Sequence, residues 1–247
     1  MIATISHSLP LNMVTTIPWG PMVSPSDTPD AASPIDAARA AGLAARSALD
    51  PDERASATAA VVQRVLDLAE LQSPGVRGVV AGSVSVQGEI DLSDALDALR
   101  ARGWRIALPV VGGGDPGVMR FRIHRRGDPL VVGRFGIPVP APGGLPELTA
   151  ADLDVVIAPC VAVDEAGTRV GFGAGYYDRA LTDPTGRPLV VVAAFEVQVV
   201  RDALAARPWD VAGDVVVTDR RTIRPSGTAG RRGRGPADGG CGGVPAR

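Results

Sequence analysis

Lysine is missing altogether from this sequence of 247 residues; all 25 basic residues are arginine. The absence excludes lysine Schiff bases and lysine nucleophiles, and it excludes the phosphate-binding loop whose lysine reaches the outer phosphates of a nucleotide. Abundant Ala, Gly, Val and Pro point to GC-biased codon use as the cause. Histidine is almost as scarce. His7 and His124 form no metal cluster, and neither has a neighbour that suggests a catalytic triad. The two cysteines, Cys160 and Cys241, make no disulfide framework and lack zinc spacing, so a reducing, cytoplasmic setting is expected. Aromatics are 4% of the chain, and no apolar run is long enough to span a membrane. Twenty-seven acids against 25 arginines leave a net charge of -2. No global field therefore draws the chain to nucleic acid or to an anionic membrane, and neither is expected as a partner.

What is present is 45% hydrophobic and organised in three parts. Residues 1–34 are rich in Pro, Ser and Thr, and Pro10 and Pro18 break any apolar stretch, so a disordered extension is expected rather than a signal peptide. Residues 226–247 are rich in Gly, Arg and Pro and are expected to be a disordered tail. Between them, residues 35–225 alternate helix and strand. Ile35–Ala48 has helical spacing. Asp50-Pro51-Asp52-Glu53 reads as a cap followed by a helix through Val61, Val62, Val65 and Leu68. Helices are also expected over Leu92–Arg102 and Val197–Ala206. Strands are expected at Gly78–Val84, Arg105–Val111, Val118–His124, Asp154–Pro159, 189–195 and 214–217. Short, wholly apolar strands between helices predict an α/β three-layer sandwich with a mainly parallel central sheet.

Ligands of such sheets bind beyond the carboxyl ends of the strands. The segment after strand 154–159 reads PCVAVDEAGTRVGFGAGYYDRAL. Gly171, Gly173 and Gly175 let backbone N–H groups approach an anion. Arg169 carries a positive charge, Asp178 a carboxylate suited to a divalent cation, and a helix starting near Tyr176 would add its positive end. The G-x-G-x-G spacing is not the dinucleotide fingerprint.

The stretch GTRVGFGAGYYDRAL resembles the signature of the 5-formyltetrahydrofolate cyclo-ligases, also called methenyltetrahydrofolate synthetases. RSALDPDER, GSVSVQGEIDLSDAL, RIALPVV, FGIPVP, FEVQ and PWDVAGDVVVT extend the similarity over residues 35–225 in the family's order. The resemblance implies a Rossmann-like fold of the sugar-isomerase and CoA-transferase type. It also implies a monomeric enzyme that uses ATP and magnesium to turn 5-formyltetrahydrofolate into 5,10-methenyltetrahydrofolate, releasing ADP and phosphate. By resemblance Arg39, Arg169, Val170, Gly171, Phe172, Gly173, Ala174, Gly175, Tyr176 and Tyr177 meet ATP. The reduced folate would meet Val84, Glu89 and Phe172, Gly173, Ala174, Gly175 and Tyr176, and magnesium would meet Asp178 and Asp214. A carboxylate at Glu89 suits the paired N–H groups of a pterin edge, while an exposed acid at a helix start is the plainer alternative. Asp210 competes with Asp214 for the metal.

The family's lysine falls on Ile35, a departure that removes one phosphate-binding charge. One of Arg122, Arg125, Arg126 or Arg134 is a candidate replacement, against a solvated hairpin. Gln198 matches a family glutamine or simply opens a helix, and Trp104 and Trp209 are expected to be packing residues. Two other readings stay open: a non-catalytic relative that binds folate or nucleotide, favoured by Ile35, and a sugar-phosphate or CoA-handling enzyme of the same architecture.

Overall fold

A computed structural model describes residues 33–75, 77–111, 117–182 and 186–226. Most of the expected extension and nearly all of the expected tail thus lie outside the described residues. The first helix, α1 (Pro34–Ala48), begins where Ser33 accepts the Asp36 N–H and Pro34 presets the first turn. The second, α2 (Pro51–Leu66), opens on a reciprocal cap: Asp50 accepts from the N–H groups of Asp52 and Glu53, and Glu53 accepts from Asp50. Then follow β1 (Val79–Ala81), α3 (Ser93–Ala101), β2 (Arg105–Val111), β3 (Met119–Ile123), β4 (Leu130–Val132), β5 (Pro138–Pro140), β6 (Val155–Pro159), β7 (Ala162–Asp164), β8 (Arg169–Val170), α4 (Tyr176–Leu181), β9 (Leu189–Ala193), β10 (Val199–Val200), β11 (Val215–Val217) and β12 (Thr222–Ile223).

Seven strands form the main sheet in the order β12-β11-β9-β6-β1-β2-β3. All pairs from β11 to β2 are parallel, and β3 and β12 run antiparallel at the two edges. The apolar runs are continuous because both faces are covered. Val155 and Ile157 enter one core with α2 and α3, beside Val61, Leu99 and Trp104. Val156 and Ala158 enter the other, beside Phe121, Val163 and Leu181. These two cores on either side of the parallel sheet are the expected three-layer arrangement. From β1 the chain steps to β2 on one side and later returns to β6 on the other, so the topological switch lies between β1 and β6.

Two expectations need correction. The strand after Gly78 ends at Ala81, because Ser83–Glu89 turns away from the sheet. No helix covers 197–206. A single 3-10 turn, Glu196–Gln198, leads into β10, where β-branched Val199 and Val200 pair with Val163 and Asp164. Asp164 accepts the Leu204 N–H at 2.8 Å and fixes the following loop in a non-helical path.

The remaining helix, α1, packs on β7, β8 and the Glu196–Gln198 turn rather than on either face of the sheet. Gly42 permits this closeness: a Cβ there would lie 2.2 Å from the Val161 carbonyl oxygen. Gly42→Ala should therefore destabilise the protein. Alanine gains about 1 kcal/mol of helix propensity, but forcing backbone apart costs about 1–3 kcal/mol, toward the upper end for a clash this severe. Urea unfolding checks this, with a lower midpoint expected for the variant.

Candidate active site

Three chain exits converge at the switch point. After β1 the chain passes Gly82 and Ser83 into a tight turn. Gln87 and Gly88 have φ of 49° and 78°, and the Glu89 N–H donates to the Val86 carbonyl at 3.0 Å. The Glu89 carboxylate accepts the Val86 N–H at 3.2 Å and is 9% exposed. Glu89 is thus a buried acid facing a recess, not an exposed helix-start residue. Burial pushes its carboxyl up to about 7, against smaller pulls from the Val86 N–H and the Arg46 charge. Val84, next to it, is half-buried against the core that holds α2 and α3.

From β6 come Cys160 and Val161, and from β9 come Phe195 and the turn bearing Gln198. The Gln198 amide ties these exits together. Its oxygen accepts the Phe195 N–H at 3.0 Å, and its nitrogen donates to the carbonyls of Cys160 and Val161 at 3.2 and 2.7 Å. Burial lifts the Cys160 thiol to about 12, so it is inert at neutral pH. Arg46, Ser83, Glu89, Pro159, Cys160 and Gln198 contribute to the lining of the narrow recess so formed. Residues from α1, from the β1 exit and from the β6 exit share it.

The glycine loop borders this recess. Val161 donates to the Val170 carbonyl at 2.7 Å, which returns residues 171–175 to the carboxyl edge of β6. Gly173 and Gly175 have φ of 98° and 65°, values that favour glycine. Around Gly171 a Cβ would meet nothing within 4 Å, leaving open space above the loop. Arg39 spans it: Nε donates to the Gly171 carbonyl at 2.8 Å, Nη1 pairs with Asp36, and Nη2 lies by Gly173. Arg179 fastens the far side, donating to the Ala174 carbonyl at 2.7 Å and lying 5.1 Å from the Tyr176 ring centroid. Phe172 is exposed on the Arg46 side. Tyr176 meets Phe135 edge-on at 6.2 Å between centroids. The helix expected after the loop is α4, only six residues long, so main-chain N–H groups of the loop rather than a helix dipole dominate there.

Arg169 points inward, not at an anion. Its side chain is 4% exposed, Nη2 donates to Asp178 at 2.8 Å, and Nη1 binds the Val211 carbonyl. The same Asp178 oxygen accepts the Val211 N–H at 3.2 Å. Tyr177 is half-buried, with its hydroxyl fully enclosed and unpartnered, beneath the Arg169 guanidinium at 5.9 Å. Desolvation raises its hydroxyl well above the ordinary tyrosine value. Asp214 sits elsewhere, before β11 at the amino edge of the sheet. Arg187 at 2.6 Å and the Val190 N–H at 2.8 Å occupy its two oxygens, a strand-capping arrangement like that of Asp154 before β6. Asp210 accepts the Arg207 N–H within its own turn. Among the described residues no group of three His, Cys, Asp or Glu is arranged to hold a metal.

The candidate replacements for the family's lysine are mostly spent. Arg122 pairs with Glu147 and Arg126 with Asp97, while Arg134 lies over Phe135 at 5.0 Å. The charge of the exposed Arg207 does reach the start of α1, adding a small pull to those of the Ser33 hydroxyl and Arg39 in lowering Asp36. Trp104 is packed at 3% exposure as expected, but Trp209 is 60% exposed, its ring 6.0 Å from the Arg207 guanidinium carbon. Arg46 and Phe135 open the family-like stretches RSALDPDER and FGIPVP, but the sequence alone assigns them no role. For Arg46 the signal was there, since seven residues, two helical turns, separate it from Arg39 on the same helix face.

Comparison with known proteins bears on this geometry. The model of the 5-formyltetrahydrofolate cyclo-ligase family matches residues 36–219. A 5-formyltetrahydrofolate cyclo-ligase of Mycolicibacterium smegmatis is 35% identical over 147 residues, 58% of this chain and 75% of the relative. That of Escherichia coli strain K12 is 34% identical over 146 residues, 56% and 76% of the two chains. Among solved structures, the 5,10-methenyltetrahydrofolate synthetase of Aquifex aeolicus superposes with a TM-score of 0.65 at 29% identity, covering 84% of this chain and 98% of its own. A Mycoplasma pneumoniae 5,10-methenyltetrahydrofolate synthetase shares the fold, with a TM-score of 0.60 at 21% identity and coverage of 75% and 99%. The matched segment runs from the first turn of α1 through β11 and contains the recess, the glycine loop and Arg39; the chain belongs to the 5-formyltetrahydrofolate cyclo-ligase family.

Proposed function

We propose that this chain is an ATP-dependent enzyme that closes 5-formyltetrahydrofolate to 5,10-methenyltetrahydrofolate, releasing ADP and phosphate. The observation that carries the reading is the adjacency of two unlike sites. One is a recess holding the buried Glu89 carboxylate; the other is an open glycine loop spanned by Arg39. An amide oxygen is a poor leaving group, and taking the γ-phosphate of ATP makes it a good one. N10 of the folate then attacks the activated carbon, and phosphate departs. For the protein the task is alignment and charge stabilisation. Loop amides of 171–175 and Arg39 hold the phosphates, Glu89 fixes the pterin edge, and Phe172 and Tyr176 flank the ground between them.

Magnesium fits the loop in one respect. Asp178 is a quarter-exposed carboxylate adjoining it, and a nucleotide's own phosphates usually complete such a coordination shell. Bound there, the ion would neutralise charge on the transferring phosphoryl group. Arg169 and the Val211 N–H orient Asp178. Asp214 is already satisfied as a strand cap, which supports Asp178 rather than Asp214 as the protein's contribution. The reading also carries a monomeric, cytoplasmic protein. Consistent with it, no helix among the described residues is long and apolar enough to cross a membrane. A binding-only relative draws on Ile35 alone, and Arg207 near the start of α1 offers a charge that the isoleucine lacks.

Purified protein with 5-formyltetrahydrofolate, ATP and magnesium should show growth of the methenyl absorbance band, with none when ATP is omitted. No growth at micromolar enzyme selects the binding-only reading. Asp178→Asn should lower turnover by at least about tenfold, or roughly 1.4 kcal/mol, and raise the magnesium requirement; an unchanged magnesium titration removes Asp178 from the site. Glu89 gives a pH prediction of definite sign. Its folded value of about 7 exceeds the ordinary 4.5, so the folded state binds the proton more tightly than the unfolded chain. Stability should fall as pH rises from 4.5 to about 7 and then level off, by on the order of 3 kcal/mol relative to Glu89→Gln. Urea midpoints across that range check this. In the wild type kcat/KM should rise through the same interval, as the carboxylate becomes able to accept both pterin N–H groups.

A further inference from the structure

Among the described residues Arg46 is the largest fully buried side chain, at 1% exposure, and it is poorly satisfied. Its one hydrogen bond, from Nη1 to the Cys160 carbonyl, is 3.5 Å long, and Nε and Nη2 have no partner. The ring of Phe172 lies 5.8 Å from its guanidinium carbon. Arginine keeps its proton even when buried, so this is a cation with unmatched donors. Burying an unmatched donor is costly, and more so when it carries charge. Arg46 lines the same recess as Glu89, yet no ion pair or hydrogen bond joins the two. The recess thus offers an incoming ligand an acceptor and a donor side by side.

The edge of a pterin displays the complementary series. The 2-amino group and N3 donate, and the oxygen on C4 accepts. A carboxylate takes the two donors and a guanidinium gives to the oxygen. We propose that Arg46 donates to the 4-oxo oxygen of the bound pterin beside Glu89, making the recess selective for 4-oxo over 4-amino pteridines. The inference rests on the reading of the recess as a reduced-folate site. An amino group at C4 sets donor against donor and removes the N3 hydrogen that Glu89 accepts. Sites built around a buried hydrogen bond reject such analogues strongly.

The test is titration calorimetry with 5-formyltetrahydrofolate and its 4-amino-4-deoxy counterpart, above the Glu89 value of about 7. Wild type should prefer the 4-oxo ligand by roughly a hundredfold. Arg46→Leu should bring the ratio to within about tenfold of one. Arg46→Lys keeps the charge on a single point donor, and its ratio should fall between those two. A purely structural Arg46 would weaken both ligands together. Because the ratio is taken on one protein sample, it is insensitive to the folded fraction, and Arg46→Lys carries the test where Arg46→Leu does not fold. Equal affinities in the wild type, or the wild-type ratio persisting in either variant, overturns the proposal. A wild type that binds neither ligand overturns the folate reading itself.

Discussion

The site depends on the approach of α1 to the backbone between β6 and β7. That helix packs chiefly on β7, β8 and the Glu196–Gln198 turn. It closes the carboxyl edge, and it does so over a carbonyl that leaves no room for a side chain at Gly42. Arg39 and Arg46 lie on either side of that contact in sequence, so one packing event delivers both guanidinium groups. One reaches the glycine loop and the other the recess. A helix standing off by even a methyl radius would move both. The distance between the glycine loop and the recess is therefore set by main chain against main chain, the stiffest contact a protein offers.

Around this contact the structure tolerates unfavourable local chemistry. Glu89 is desolvated, Arg46 has unmatched donors, and the Tyr177 hydroxyl has no partner. All three lie in or beside the same region. Away from it Asp164, Asp214 and Thr218 each make two or more hydrogen bonds, although Arg100 Nε on α3 is also buried without a partner. The two acids expected at the metal differ in which oxygens are taken: Asp214 has both occupied, whereas both bonds to Asp178 fall on one oxygen.

Much of the architecture was legible because period and punctuation agree. Short valine runs with no polar alternation announce strands covered on both faces, and Asp50-Pro51 with Glu53 announces α2. The glycine loop was legible from Gly173 and Gly175, whose backbone angles glycine favours. The failures share a cause. Val197–Ala206 has helical composition, yet tertiary bonds from Asp164 and strand pairing at Val199 override it. Arg169 was read as a free cation because a sequence does not reveal which carboxylate lies opposite, and here it is Asp178. Spacing puts Arg46 on the Arg39 face of α1, but nothing in the sequence marks which of the two arginines is buried.

The strand order also governs the sequence of events during synthesis. The strand that completes the centre of the sheet, β6, is made long after β1, and the Val161 carbonyl that seats α1 trails Gly42 by roughly 120 residues, on the order of ten seconds of translation at the usual pace. Through that interval the apolar stripe of the first helix has no permanent seat, and β1 has one parallel neighbour instead of two. Such late, long-range closure slows folding and leaves adhesive surface open on the nascent chain. The helix that borders the recess, the first among the described residues, is thus made early and seated late, which makes the ribosome-bound chain, rather than the finished enzyme, the species most in need of a chaperone.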